Sequence, residues 1–241
     1  MLWVAFDRGL RLAEKRNFPC PNRAKWLEAR DFLYEEIMEK GYNKEMKCFV
    51  QSYENNTMLD SSILIAPLVF FIAPNDPRFL NTLDRIMLPP DKGGLTSTGL
   101  VYRYDTELSE DGMSPPPLFF YPLFLLGLFL AQSSLQITHE CRRLTISKKK
   151  KTGVGGREGA FSMCTFWLVE AMTRASMYEP KYLVRAVNLF ENMLGFSNHL
   201  CMFSEEISRS GEQLGNTPQA FSHLALISAA FNLDRVSEFR R

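Results

Sequence analysis

Apolar residues recur along most of this chain at three- and four-residue spacing, the period of an α-helix with one buried face. Leu2, Phe6, Leu10 and Ala13 share one face of a first predicted helix. Pro19 and Pro21 end it, because proline cannot continue a helix interior. Trp26, Ala29, Leu33 and Ile37 mark a second helix over 23–40, with Gly41 placed to close it. A third is expected over 59–72, with Asp60 or Ser61 near its start. It is apolar nearly all round, as a buried helix is. Asp76-Pro77 opens a short fourth helix to about Met87, with proline at the favoured first position. A Gly-rich connection and the extended stretch Leu100-Val-Tyr-Arg-Tyr104 follow. The helical pattern resumes at Glu158, with Phe161, Cys164, Leu168, Met172 and Ala175 in register. Pro180 starts another helix with Leu183, Ala186, Phe190 and Met193 on one face, and a last helix spans 218–232. The pattern predicts an all-α protein of about seven helices packed as antiparallel hairpins, without convincing strand pairs. Periodicity alone does not separate a barrel from a bundle.

One segment departs from this pattern. Residues 113–153 carry a triple proline, a strongly apolar run over 118–131 and a basic stretch ending in Lys148 to Lys151. No Asp, Glu, Lys or Arg occurs from Ser114 to His139. A membrane span needs about 20 apolar residues, and this run is shorter and interrupted by Pro122. A greasy surface insertion or translated non-coding sequence are the other readings.

Composition narrows the function classes. A net charge of +1 argues against a nucleic-acid partner. Five scattered cysteines with no CxxC pair read as reduced thiols in a cytoplasmic setting, not as a disulfide framework. Asp7 and Arg8 fall where a secretory signal would need its apolar core. The opening residues read as a helix already under way, so the chain is expected to begin within a domain. Three separated histidines and no acidic cluster at ligand spacing predict no metal site, and no phosphate loop or Gly-x-Ser-x-Gly is present. No cofactor is expected.

Six stretches resemble, in order, the motifs of glycoside hydrolase family 15, the glucoamylase and microbial trehalase family. They are LWVAFDRGLRLAEKR, CFVQSYENNTMLDSSILIAPLVFFI, DPRFLNTLDRI, GLVYRY, REGAFSMCTFWLVEA and FSEEISRSGEQLGNTPQAFSHLALI. The resemblance covers almost everything except 113–153. It implies an (α/α)6 barrel, an outer ring of helices around an inner ring with a pocket at one end. It also implies that the general acid lies in a Trp-Glu motif just before the helix that opens this chain. The barrel would then be N-terminally truncated, and the chain alone is expected to show little or no activity. Removing 113–153 joins Asp111-Gly112 to Val154-Gly155-Gly156 and restores the short Gly-rich loop typical of the family, so the insertion reads as an unspliced intron or a gene-model error.

The resemblance assigns roles to three residues. An inverting glycosidase sets an acid and a base on opposite sides of the scissile bond. The family's base, in a Ser-Glu motif, falls on Glu205 of Ser204-Glu205-Glu206. Without the resemblance this polar stretch reads as a solvated acidic turn. Arg103 matches an arginine that contacts sugar hydroxyls, a task suited to a fork of fixed donors. Otherwise it is a surface arginine between tyrosines. Glu158 matches a pocket-lining residue, and otherwise is a first-turn helix carboxylate favoured by the dipole. Trp167, Phe161 and Phe166 have the ring area to stack on a sugar, yet their helical spacing fits core positions. His223 reads as a hydrogen-bonded structural histidine. The implied substrate is an α-glucoside, a maltooligosaccharide or trehalose. The residues alone also leave open a non-catalytic helical module tethered to a membrane through 118–131. The oligomeric state is not encoded in any feature of the sequence.

Overall fold

The computed structural model describes residues 1–54, 56–104 and 158–238, which belong to one packed unit. The insertion at 113–153, with its apolar run, lies outside the described residues. Among the described residues, no helix is long and apolar enough to cross a membrane.

Six α-helices are present among the described residues: α1 (Leu2–Arg16), α2 (Arg23–Lys40), α3 (Pro77–Ile86), α4 (Ser162–Ala175), α5 (Lys181–Leu194) and α6 (Ala220–Glu238). Helix α2 has the predicted bounds, and α3 starts as expected. The Asp76 side chain accepts from Arg78 N–H and Pro77 occupies the first turn, satisfying one donor and removing another at the helix start.

The helix expected over 59–72 is a correction. Only a 3-10 helix forms, Ser61–Ile65. Pro67 has no N–H to donate to Ile63, so an α ladder cannot pass through it. Ala66 N–H bonds to Ile63 O three residues back, and Phe70 (φ 61) turns the chain out of helical conformation. The segment still buries Leu64, Ala66, Phe71 and Ile72.

The expectation of no strand pairs is also corrected. Short antiparallel pairs join β1 (Tyr42–Asn43) to β2 (Cys48–Phe49) and β3 (Thr96–Ser97) to β4 (Leu100–Val101). A three-stranded ribbon orders β5 (Ala160–Phe161), β6 (Glu206–Ile207) and β7 (Gln213–Leu214) with β6 central. Two-residue strands are too short to show a period of two. Glu158 therefore precedes a strand and does not sit in the first turn of a helix.

Helix α1 is rotated from its predicted face. Trp3, Asp7 and Leu10 are buried, whereas Leu2 is 70% exposed. Trp3 packs edge-on to Phe71 at 5.0 Å. Asp7 is tolerated inside because Arg8 and Arg11 approach its carboxylate at 2.6 and 2.9 Å, compensating a buried charge.

Helix α4 is the centre of the core. It buries Cys164, Phe166, Leu168, Val169, Met172 and Ala175 and packs against α5, α6 and the 3-10 helix. Helix α6 turns small residues inward (Ala225, Ala229) and large apolar ones outward: Leu224, Ile227 and Phe231 are each more than 60% exposed.

Candidate active site

The loop before β6 is fixed from three sides. Glu205 N–H donates to Asn216 O at 2.9 Å, and Ser162 N–H, opening α4, donates to Glu205 O at 3.0 Å. Buried Ser204 donates to Glu206 O (2.7 Å) and its own carbonyl accepts from Ser222 Oγ on α6 (3.0 Å). The Glu205 carboxylate is half-buried. Among the described residues it accepts one long hydrogen bond, from Asn216 N–H at 3.4 Å. Its remaining lone pairs can take a water.

Glu205 lines a cleft of about 290 Å³. Asp60 and Arg103 contribute to the polar wall, and Phe161, Trp167 and Phe221 to the aromatic one. Arg103 follows β4 and is exposed, its guanidinium 5.6 Å from the Tyr104 ring centre. Its backbone is held by Ser61 N–H donating to Arg103 O at 2.8 Å and by the antiparallel bridge between Asp60 and Tyr104. The cleft is thus lined by both charged groups and aromatic residues, a composition that suits a sugar with hydroxyls on its rim and C–H groups on its faces.

Glu205 and Arg103 are brought together on this cleft. Glu158 is not among the lining residues; its carboxylate accepts from Tyr104 O–H at 2.8 Å. Glu206, next to Glu205, turns into the protein and accepts from Gly159 N–H at 2.7 Å. Burial pushes its carboxyl above the ordinary range, reinforced by the nearby charges of Glu158 and Glu205 and opposed by the Gly159 bond. Of the aromatic candidates, Phe166 is fully buried and packs edge-on to Phe203, whereas Phe161 and Trp167 reach the cleft. His223 is tied at both nitrogens, with Nδ1 at 2.7 Å from Gln219 O and Nε2 accepting from Phe203 N–H. These bonds favour the neutral tautomer with the proton on Nδ1.

The comparisons with known proteins agree with the motif order. The sequence model of glycosyl hydrolases family 15 matches residues 1–231. The chain belongs to this family. Its curated relatives include trehalases from Mycobacterium tuberculosis (34% identical over 239 residues), Mycolicibacterium smegmatis (31%) and Thermoplasma volcanium (30%). The matches cover 99%, 99% and 97% of this chain but 27%, 28% and 29% of those proteins. The family 15 chain described here therefore spans less than a third of the length of these relatives. No solved structure matches it.

Asp60 and Phe221 escaped the sequence reading. Asp60 looked like a helix start, which concealed that its side chain also borders the cleft. Phe221 sits within Gln219-Ala-Phe-Ser-His223, where the histidine is the more obvious polar candidate. A large ring at an outward position of α6, beside buried Ser222, is the signal that marks it.

Proposed function

We propose that this chain carries the base side of an inverting α-glucosidase site that acts on trehalose. The observation that carries this reading is the sharing of one cleft by Glu205 and Arg103. Trehalase-named relatives favour trehalose over maltooligosaccharides as the substrate class. The four described cysteines are free, which fits a reducing, cytoplasmic setting.

In this reading Arg103 donates to hydroxyls of the glucosyl unit, and the aromatic wall covers a ring face. Glu205 accepts a proton from the water that attacks the anomeric carbon from the side opposite the departing sugar. The leaving oxygen takes its proton from a general acid outside the described residues, in the stretch that precedes the α1 counterpart in the resembled family. The wider architecture is the (α/α)6 barrel, with α4 and α6 among the helices around the pocket. General acid catalysis contributes roughly 10²–10⁴-fold to such a reaction.

A chimera tests this directly. The chain, with 113–153 deleted, replaces the matching segment of the Mycobacterium tuberculosis trehalase, and trehalose hydrolysis is measured. The reading predicts an active chimera that Glu205→Gln slows by roughly 10²–10⁴-fold with little change in KM. Full activity of the Glu205→Gln chimera would remove the residue from the mechanism.

A further inference from the structure

Asp60 and Arg103 carry opposite charges and lie one position apart across a backbone pairing, Asp60 opposite Tyr104 and Ser61 opposite Arg103. The Asp60–Tyr104 bridge and the Ser61 N–H to Arg103 O bond hold their backbones together, and both residues line the cleft that Glu205 borders. Yet they do not pair. Among the described residues, neither Asp60 nor Arg103 makes an ion pair, and the guanidinium lies over the Tyr104 ring. Asp60 Oδ1 accepts from Ser62 N–H at 2.7 Å as the cap of the 3-10 helix. No described residue bonds its other oxygen. An anionic acceptor whose position is fixed by its own cap thus borders the same cleft as a residue that carries a cationic donor.

A sugar hydroxyl is both donor and acceptor, so it can satisfy such a couple at once, or two neighbouring hydroxyls can divide it. Bonds in which one partner is ionised are roughly twice as strong as neutral ones. They also discriminate sharply, because a ligand lacking the hydroxyl leaves the charged groups desolvated and unpaired. We propose that Asp60 is a substrate-positioning and specificity-determining residue: its free carboxylate oxygen accepts a hydrogen bond from one hydroxyl of the glucosyl unit that Arg103 also engages. This role rests on the proposed sugar-binding reading of the cleft.

The test uses the full chain, with trehalose and its monodeoxy analogues as probes, titrated by ¹H–¹⁵N NMR. Asp60→Asn keeps a capping oxygen for Ser62 N–H while removing the anionic acceptor; Asp60→Ser is a second capping variant should the first not fold. For the unmodified chain, one monodeoxy analogue is expected to bind about ten-fold more weakly than trehalose. In Asp60→Asn, trehalose itself weakens by a similar factor and that analogue is no longer discriminated, with the helical circular dichroism and the dispersion of the NMR spectrum retained. A variant that keeps the unmodified affinities, or weakens every analogue equally, overturns the assignment of Asp60 and leaves the trehalose reading intact. Absence of saturable trehalose binding by the unmodified chain overturns that reading and the Asp60 role with it.

Discussion

Gly215 lies against Glu205 so closely that a Cβ on it would sit 2.9 Å from Glu205 Oε2 and 3.0 Å from Glu205 Cβ. Its φ of +72 is also one that other residues adopt at a cost. Gly215→Ala should therefore both strain the turn, by roughly 1–2 kcal/mol, and push the carboxylate out of place. Gly99 provides the control: its φ is +82, but a Cβ there meets nothing within 4 Å. Gly99→Ala should lower the melting temperature without altering sugar binding, whereas Gly215→Ala should alter both. Thermal melts with trehalose titrations on the two variants check this.

Glu170 ties the two helices that hold the cleft. Its carboxylate is 2% exposed and accepts from Ser228 Oγ (2.6 Å) and Asn232 Nδ2 (3.1 Å) on α6 and from Arg174 Nη2 (3.0 Å) on α4. Glu170→Ala leaves these donors without their acceptor. Breaking a buried pair costs about 3–5 kcal/mol, and Arg174, 25% exposed, brings the expected loss to the lower end. Urea unfolding of Glu170→Ala and Glu170→Gln should rank the alanine variant as the less stable.

Glu206 gives a pH dependence of known sign. Its folded-state affinity for a proton is raised above the ordinary value of 4.5 by burial. Its stabilising contribution is thus complete below that value and is lost as pH rises through the higher folded-state value. Glu206→Gln, which can still accept from Gly159 N–H, should be more stable than the unmodified chain near neutral pH. The gap should close below about pH 4. Melting temperatures across that range, with no convergence at low pH, would count against the account.

The outward face of α6 should drive self-association. Leu224, Ile227 and Phe231 repeat on one helical face and are exposed, and large contiguous apolar patches are sites of association. Ile227→Lys with Phe231→Lys should reduce the sedimentation-derived mass at high concentration and leave the helical circular dichroism unchanged.

Much of this fold was legible because strong helical periods and punctuation coincide. Helix α2 has both its predicted ends, with Gly41 following. The errors have local causes. Helix α1 turns inward a face that includes Asp7, whose burial two arginines make possible, and not the face its apolar spacing predicts. The apolar run over 59–72 predicts an α-helix that the missing N–H of Pro67 forbids. Glu205 and Arg103 follow from motif order, not spacing, since their meeting on one cleft depends on β5 packing against both β4 and β6. Asp60 was hidden because one carboxylate oxygen has a sufficient structural duty and the other does not show in a sequence.

The most direct test of the central claim is the anomeric form of the first glucose released from trehalose by the chimeric enzyme, followed by ¹H NMR before mutarotation. Inversion with Glu205 as base predicts equal initial amounts of β-glucose, from the attacked unit, and α-glucose, from the departing one. Initial release of α-glucose alone would mean retention, and would contradict the assignment of Glu205 as the base that activates water.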